Sequence, residues 1–122
     1  MAISTESVKH LDAWLPALAD PTRRRIVEML GDSPRTATQI HQAFPIAAPA
    51  VSRHLRVLRE AGLILEHAVP GDKRVRLYAL SPEPITELSG WLEQLGQAWQ
   101  AQLESFKDYV ALRRRRPGAL DG

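Results

Sequence analysis

The sequence of 122 residues contains no cysteine. This absence excludes disulfide bonds, a cysteine nucleophile and every metal site that depends on a thiolate. The sequence also has no glycine-rich phosphate loop and no evident Ser/His/acid or paired-carboxylate arrangement. We therefore expect a protein that is not an enzyme and that holds no cofactor.

Long apolar runs are also missing. No stretch approaches the roughly 18 residues that a membrane-spanning helix requires, and the first ten residues do not have the pattern of a signal peptide. We therefore expect a cytoplasmic protein with no membrane partner. The length fits one domain, whose small core would gain stability from oligomerisation.

The net charge is only +2, but the charges are unevenly distributed. Residues 1–80 hold 11 Lys and Arg against 8 Asp and Glu, whereas residues 81–122 hold 5 against 6. The basic residues of the first part form three clusters, at 23–25, 53–59 and 73–76. Any one cluster is typical of a solvated face, but three clusters on elements that could converge favour a nucleic-acid partner.

Capping signals and hydrophobic spacing predict four helices in the first half of the chain. Asp20 followed by proline is typical of the N-cap of the second helix, and Thr36 and Gln39 have the spacing of a capping box that opens the third. A fourth helix is predicted over 48–61, with Gly62 as its left-handed cap. The first helix precedes these, and one apolar face of it is predicted from the spacing of Val8, Leu11, Leu15 and Leu18.

The second half of the chain predicts a β-hairpin and a long helix. Residues 63–69 and 74–80 have strand character and are joined by a turn at 70–73. The last helix, predicted over 85–112, carries an apolar stripe about 140° wide. The expected fold is mainly α, a winged helix-turn-helix of five helices with a two-stranded hairpin as the wing.

We expect one DNA-binding and dimerisation domain over 1–112, followed by a basic, disordered tail over 113–122. The arginines at 113–116 could contact DNA phosphates, but a solvated tail is the favoured interpretation.

The fourth helix has two distinct faces. Val51, Leu55 and Leu58 cluster on one side, and polar and basic residues lie opposite. Arginine can pair bidentately with guanine, serine can donate or accept, and small apolar residues can touch a thymine methyl group. The alternative is an ordinary amphipathic surface helix, and His54 at the edge of the faces suits a partly buried histidine or a phosphate contact better than a metal ligand. The candidate DNA-binding residues of this helix are Ala48, Pro49, Ser52, Arg53, His54 and Arg56.

The predicted wing is basic at its tip. Lys73, Arg74 and Arg76 could reach the DNA backbone or the minor groove, although a hairpin that merely aids solubility would have the same charges. Tentative contacts to the DNA backbone are assigned to Arg23, Thr36 and Gln39.

Three segments, ADPTRRRIVEML at 19–30, PAVSRHLRVLREAGLI at 49–64 and GDKRVRLYALSP at 71–82, resemble the ArsR/SmtB family of bacterial winged-helix repressors. The resemblance covers roughly residues 11–95. It implies a homodimer that binds an imperfect palindrome near a promoter, usually as a repressor. It also implies that Ser52 and Arg53 occupy positions that commonly contact bases.

The resemblance further implies that the first and last helices form the dimer interface, in agreement with the apolar stripe of the last helix. Trp91 and Trp99 could instead line a ligand pocket, but we favour dimer core. The predicted interface residues are Leu11, Leu15, Leu88, Trp91, Leu92, Leu95, Trp99, Leu103 and Phe106.

Two departures from the family pattern matter. Ala47 stands where the family often has a serine before the recognition helix. Many members sense metals through cysteines on the third helix or through His and carboxylate pairs on the last helix, but here the third helix has no cysteine and the last has no histidine. We therefore expect no metal site of the family type. An unusual site that includes His10 and His41, and a winged helix that binds only protein, are the alternatives, and no inducer is specified.

Overall fold

The computed structural model describes residues 5–115, with side chains from residue 10 onward, and within that range the chain forms five helices and three strands. The mainly helical winged helix-turn-helix expected from the sequence is confirmed. The elements are α1 (Thr5–Ala17), α2 (Pro21–Asp32), β1 (Arg35–Thr36), α3 (Ala37–Ala43), α4 (Ala48–Glu60), β2 (Ile64–Val69), β3 (Asp72–Leu80) and α5 (Pro82–Arg114).

The chain divides into two compact units, Met1–Leu88 and Ser89–Gly122. The first unit contains every element from α1 to β3 and the beginning of α5, and the second contains the rest of α5.

The predicted helix caps are present. The Asp20 carboxylate accepts hydrogen bonds from the backbone N–H groups of Thr22 and Arg23 at 2.8 and 3.1 Å. Thr36 accepts from the Gln39 backbone N–H at 3.2 Å, and the Gln39 side chain accepts from the Thr36 N–H at 2.9 Å, which completes the capping box. These bonds satisfy backbone donors that the first helical turn leaves without a partner.

The core of the first unit is centred on α4, which contacts α2, α3 and β2. Its aliphatic residues Val51, Leu55 and Leu58 are buried, as predicted. They are surrounded by further buried aliphatic residues, namely Ile26, Leu30, Ile40, Leu63, Ile64 and Leu88.

The predicted apolar face of α1 is only partly buried in the protomer. Leu11 is buried, but the buried face continues through Trp14 and Ala17, whereas Leu15 is 45% exposed. Adjacent helical residues point in different directions, and the indole of Trp14 buries more apolar surface than Leu15 would. Val8, on the same predicted face, lies outside the described side chains.

The sheet contains a strand in addition to the predicted hairpin. The strand order is β1-β3-β2, all antiparallel, with Arg35 opposite Tyr78 and Thr36 opposite Leu77. A strand of two residues is too short to show an alternating pattern, so the sequence did not reveal β1. Because Thr36 also caps α3, β1 joins the start of that helix to the wing.

The hairpin between β2 and β3 turns through Pro70 and Gly71. Gly71 has a φ of +86°, a conformation that glycine adopts without strain and that the residue after proline takes in a type II turn.

Helix α5 is longer than predicted, since it begins at Pro82 rather than at residue 85 and ends at Arg114 rather than at residue 112. Proline is accepted in the first helical turn because it removes an N–H that would have no helical partner there. The first two arginines of the predicted tail are therefore helical, and residues 116–122 lie outside the described residues. Over the described part of the chain, no helix combines the length and the apolar character needed to cross a membrane.

The N-cap at Asp20 predicts a pH dependence of stability. Its pKa lies below the ordinary value of 3.8, chiefly because the Arg23 N–H donates to the carboxylate. A lowered pKa stabilises the folded chain well above pH 3.8, and this contribution is lost as the pH falls through the folded value. Asp20→Asn keeps a capping oxygen but removes the charge. We therefore expect the free energy of unfolding to fall more steeply for wild type than for Asp20→Asn as the pH is lowered from 5 to below 3.8. Denaturant titrations at a series of pH values measure this difference. Parallel curves for the two proteins would contradict the assignment.

Candidate nucleic-acid interface

The outer face of α4 is exposed along its length. Ser52, Arg53 and Arg56 are exposed, as are Ala48 and Pro49 in the first turn. The opposite face of the helix is fully packed, so the helix cannot rotate to hide them without exposing the core. The structure thus brings five of the six recognition-helix candidates together on one accessible surface.

Arg53 and Arg56 are available for binding. Among the side chains that the structure describes, neither guanidinium forms an ion pair or a hydrogen bond, and neither residue touches a carboxylate on its own helix. A free guanidinium presents a rigid fork of donors that matches the O6 and N7 atoms of guanine.

The sixth candidate, His54, is turned toward the protein. Its Nδ1 lies 3.2 Å from Nη1 of Arg23 and 4.0 Å from Oδ1 of Asp20. A guanidinium can only donate, so Nδ1 accepts and the proton of the neutral ring is on Nε2. This geometry agrees with the partly buried histidine that the sequence favoured over a metal ligand.

The arginine cluster at 23–25 has mainly a structural role. Arg23 donates through Nε to the carbonyl of Ala17 at 2.6 Å and through Nη2 to that of Pro16 at 3.2 Å. Arg24 donates to the two carbonyls that follow α1. The last carbonyls of a helix have no helical partner, and these side chains satisfy them. The geometry therefore favours helix capping over the DNA-backbone contact tentatively assigned to Arg23.

The other two tentative contacts, Thr36 and Gln39, are also occupied by a cap. The Thr36 hydroxyl and the Gln39 side-chain oxygen bond each other's backbone N–H groups. The amide nitrogen of exposed Gln39 has no partner among the described residues, so it can donate to a phosphate.

The wing presents two exposed cations at its tip. Arg74 is 95% exposed, and its Nε lies 3.7 Å from the Asp72 carboxylate. The same carboxylate accepts from the Arg74 backbone N–H at 3.1 Å, which orders the turn. Lys73 is exposed beside it. An ion pair this exposed is weak and can exchange for a phosphate at little cost.

Arg76, the third wing candidate, is held by Glu66. Its Nε lies 3.2 Å from Oε1 of Glu66, while Arg59 at the end of α4 donates to the other carboxylate oxygen. Burial, and after it the charge of Glu66, raises the pKa of the neighbouring Tyr78 phenol. Glu66 was not among the candidate residues predicted from the sequence. Its position in β2, opposite Tyr78 and diagonal to Arg76, is the feature that could have indicated the pairing with Arg76.

The predicted dimer residues divide between the two units. Leu11 and Leu88 are buried in the first unit, where Leu15 is exposed. In the second unit Trp91 and Leu95 are half-buried. The remaining predicted residues of the second unit are exposed, namely Leu92, Trp99, Leu103 and Phe106.

The histidines do not converge on a metal site. His10 Nδ1 lies 2.8 Å from Glu87 Oε2, and its ring lies against Trp14 at 5.1 Å between centroids. Within the described residues, no three histidines and carboxylates are close enough to hold a metal ion.

Comparison with known proteins finds helix-turn-helix transcriptional regulators that are similar in sequence and in structure. A family model described as a helix-turn-helix domain matches residues 18–67. The chain is 37% identical over 98 residues to the HTH-type transcriptional regulator Rv2034 of Mycobacterium tuberculosis. The aligned segment covers 80% of this chain and 85% of that protein. It is 41% identical over 76 residues to the transcriptional repressor SdpR of Bacillus subtilis, covering 62% and 81%. The crystal structure of an ArsR family transcriptional regulator, RHA00566, superposes with a TM-score of 0.63 at 33% identity, covering 75% of this chain and 97% of that chain.

The start of α4 generates a prediction about stability. Its N-cap, Ala47, has an extended backbone with φ −62° and ψ 143°, the conformation of a capping residue, but no side-chain oxygen. We expect Ala47→Ser to raise the free energy of unfolding by about 1 kcal/mol, measured by urea denaturation. Ala101→Ser, at an exposed position inside α5, is the matched control and should give no gain. Equal effects of the two substitutions would show that capping is not the cause.

Proposed function

The chain belongs to the ArsR/SmtB family of winged-helix, DNA-binding transcriptional regulators, and we propose that it is a homodimeric repressor whose α4 helices read a palindromic operator in the major groove. Its role is to regulate transcription and not to catalyse a reaction. We place the DNA-binding and dimerisation functions in residues 1–112. The proposed location is the cytoplasm, and the proposed partner is promoter DNA.

The observation that carries the proposal is the division of α4 into two faces. Val51, Leu55 and Leu58 are buried, while Ser52 and Arg53 are exposed on the other side. A helix held this way presents a continuous polar edge to the major groove, which is wide enough to admit an α-helix. A surface that docks on protein would be more apolar at its centre.

Within that surface we assign base readout to Ser52 and Arg53. Arg53 would bind guanine bidentately, and Ser52 would contact an adjacent base edge. Arg56, one turn along, would bind a base or a flanking phosphate. Ala48 and Pro49 are small and apolar, which suits contact with a thymine methyl group.

The wing would contribute a second contact of a different kind. Lys73 and Arg74 are exposed at its tip, so they can neutralise phosphates without reading sequence. This contact would raise affinity for all DNA and orient α4 in its groove.

The exposed apolar residues of α5 support the proposed dimer. Trp99 is 65% exposed, and Phe106 and Leu103 are also exposed. Soluble monomers rarely leave so many large apolar side chains in water. A second copy of the chain would cover them, with exposed Leu15 of α1 contributing, as the family's dimers suggest.

Selection from a random pool of duplexes tests the proposed function. We expect bound duplexes to enrich an inverted repeat whose half-site centres lie about one helical turn, roughly 10 base pairs, apart. The same protein should shift a labelled duplex of that sequence at about 150 mM salt in excess scrambled competitor, and a chelator should leave the shift unchanged. A pool without enrichment would reject the sequence-specific function and favour a protein partner.

Two arginine substitutions separate base readout from phosphate binding. Arg53→Ala should weaken operator binding by about 1–3 kcal/mol and relax the preference at one base position. Arg74→Ala should weaken operator and scrambled DNA alike and reduce the salt slope by about 1. Fluorescence anisotropy over a salt series measures both. If Arg53→Ala bound the operator as tightly as wild type, the recognition-helix assignment would be wrong.

The dimer assignment is tested at Trp99. We expect Trp99→Glu to weaken dimerisation by about 2 kcal/mol or more, roughly 30-fold, because it places a charge in the buried centre of the interface. Gln100→Glu adds the same charge on the neighbouring, polar side of α5 and should leave the dimer intact. Sedimentation velocity distinguishes monomer from dimer. A dimeric Trp99→Glu protein would require another interface.

A further inference from the structure

Glu66 connects three parts of the first unit. It lies in β2, it pairs with Arg76 of the adjacent β3, and it accepts a hydrogen bond from Arg59 at the end of α4. Its side chain is 17% exposed, while those of Arg59 and Arg76 are each about half exposed. One largely buried carboxylate therefore holds two arginines whose outer parts remain in solvent.

Both arginines lie close to the proposed DNA-binding surface. Arg59 follows Ser52 by seven residues, so it lies about 20° away from Ser52 around the helix axis at about 100° per residue. Arg76 lies two residues beyond exposed Arg74 in β3, where the regular pairing with β2 resumes after the register shift near the wing tip. Without Glu66, both guanidiniums would be free to bind phosphates along the same stretch of DNA backbone.

We infer that Glu66 is a specificity-determining positioning residue that withholds Arg59 and Arg76 from DNA phosphates and holds the wing against the end of α4. Phosphate contacts carry no sequence information and strengthen binding to every duplex. A carboxylate that engages two cations lowers non-specific affinity. By fixing the wing to α4, the same carboxylate preserves the geometry in which Arg53 reads a base.

The neighbouring arginines show the contrast. Arg53 and Arg56, on the same outer face of α4, have no carboxylate partner among the described side chains. These four arginines thus separate into an unengaged pair in the middle of α4 and a pair, Arg59 and Arg76, that Glu66 engages where the end of α4 meets the hairpin. This inference rests on the proposed function, because it assigns the surface that contains both pairs to DNA.

The test is Glu66→Gln, which removes the charge and keeps the shape. We measure binding of wild type and variant to a scrambled duplex and to the selected operator between 50 and 200 mM salt. Each newly bound phosphate adds about 0.9 to the slope of log affinity against log salt. With two arginines released, we expect the fourfold change in salt to weaken scrambled-DNA binding by on the order of tenfold more in the variant than in wild type. The ratio of operator to scrambled affinity should fall.

Glu60→Gln is the matched control. Glu60 is an exposed carboxylate at the end of α4 with no ion pair among the described side chains, so its loss changes the net charge equally without releasing an arginine. Glu66→Gln with Arg59→Gln and Arg76→Gln should restore the wild-type salt slope. A slope for Glu66→Gln equal to that of wild type or of Glu60→Gln would overturn the inference.

A second variant keeps the test valid if Glu66→Gln does not fold. Arg76→Gln changes a half-exposed side chain, and it should leave the scrambled-DNA salt slope unchanged because Arg76 does not contact phosphate in wild type. A slope reduced by about 1 would mean that Arg76 already binds DNA, and the inference would fail. The two proposals fail differently. Wild type that binds no duplex rejects the proposed function and this inference together, whereas wild type that binds DNA with unchanged slopes in the variants rejects only the inference.

Discussion

The burial of one side of α4 is the interaction on which the proposed DNA-binding surface depends. Val51, Leu55 and Leu58 are buried, and α4 contacts α2, α3 and β2. Removing these side chains from water stabilises the fold by roughly 1.5–3 kcal/mol each. The same packing fixes the rotation of the helix, so the outward direction of Ser52 and Arg53 is a consequence of the core. The orientation of the proposed DNA-contacting side chains is therefore set by aliphatic packing and not by charge.

The arginines of the first unit divide into structural and available groups, although they look alike in the sequence. Arg23 bonds carbonyls at the end of α1 and the ring of His54, and Arg76 pairs with Glu66. Within the described part of the chain, Arg53 and Arg56 have no ion-pair or hydrogen-bond partner. A guanidinium is charged at any physiological pH, so its role is decided by which acceptors lie within reach. Net charge is consequently a poor guide to the nucleic-acid surface, and the partners of each cation are a better one.

The second unit differs from the first in that it exposes several large apolar side chains. The stripe on α5 has the periodicity of a buried helix face, yet Trp99, Leu103 and Phe106 are exposed in the protomer. Exposure of this kind is costly in water, and a second copy is the occupant that the family's dimers suggest. A repressor that reads a palindrome needs the same two-fold symmetry, so the surface that stabilises the protein would also set the spacing of its two recognition helices.

The sequence by itself determined the order of the five helices and the hairpin, the caps at Asp20 and Thr36, and the two faces of α4, because these follow from local hydrogen bonding and from the periods of helix and strand. It did not reveal β1, whose two residues exist as a strand only through pairing with β3. It also did not single out Trp14, which is buried with Leu11, since spacing does not record which side chain covers more surface. Only the tertiary structure decided which arginines are engaged, because Glu66 and Arg59 meet through the packing of α4 on β2. Contacts between separate elements depend on their relative placement, which no local pattern specifies.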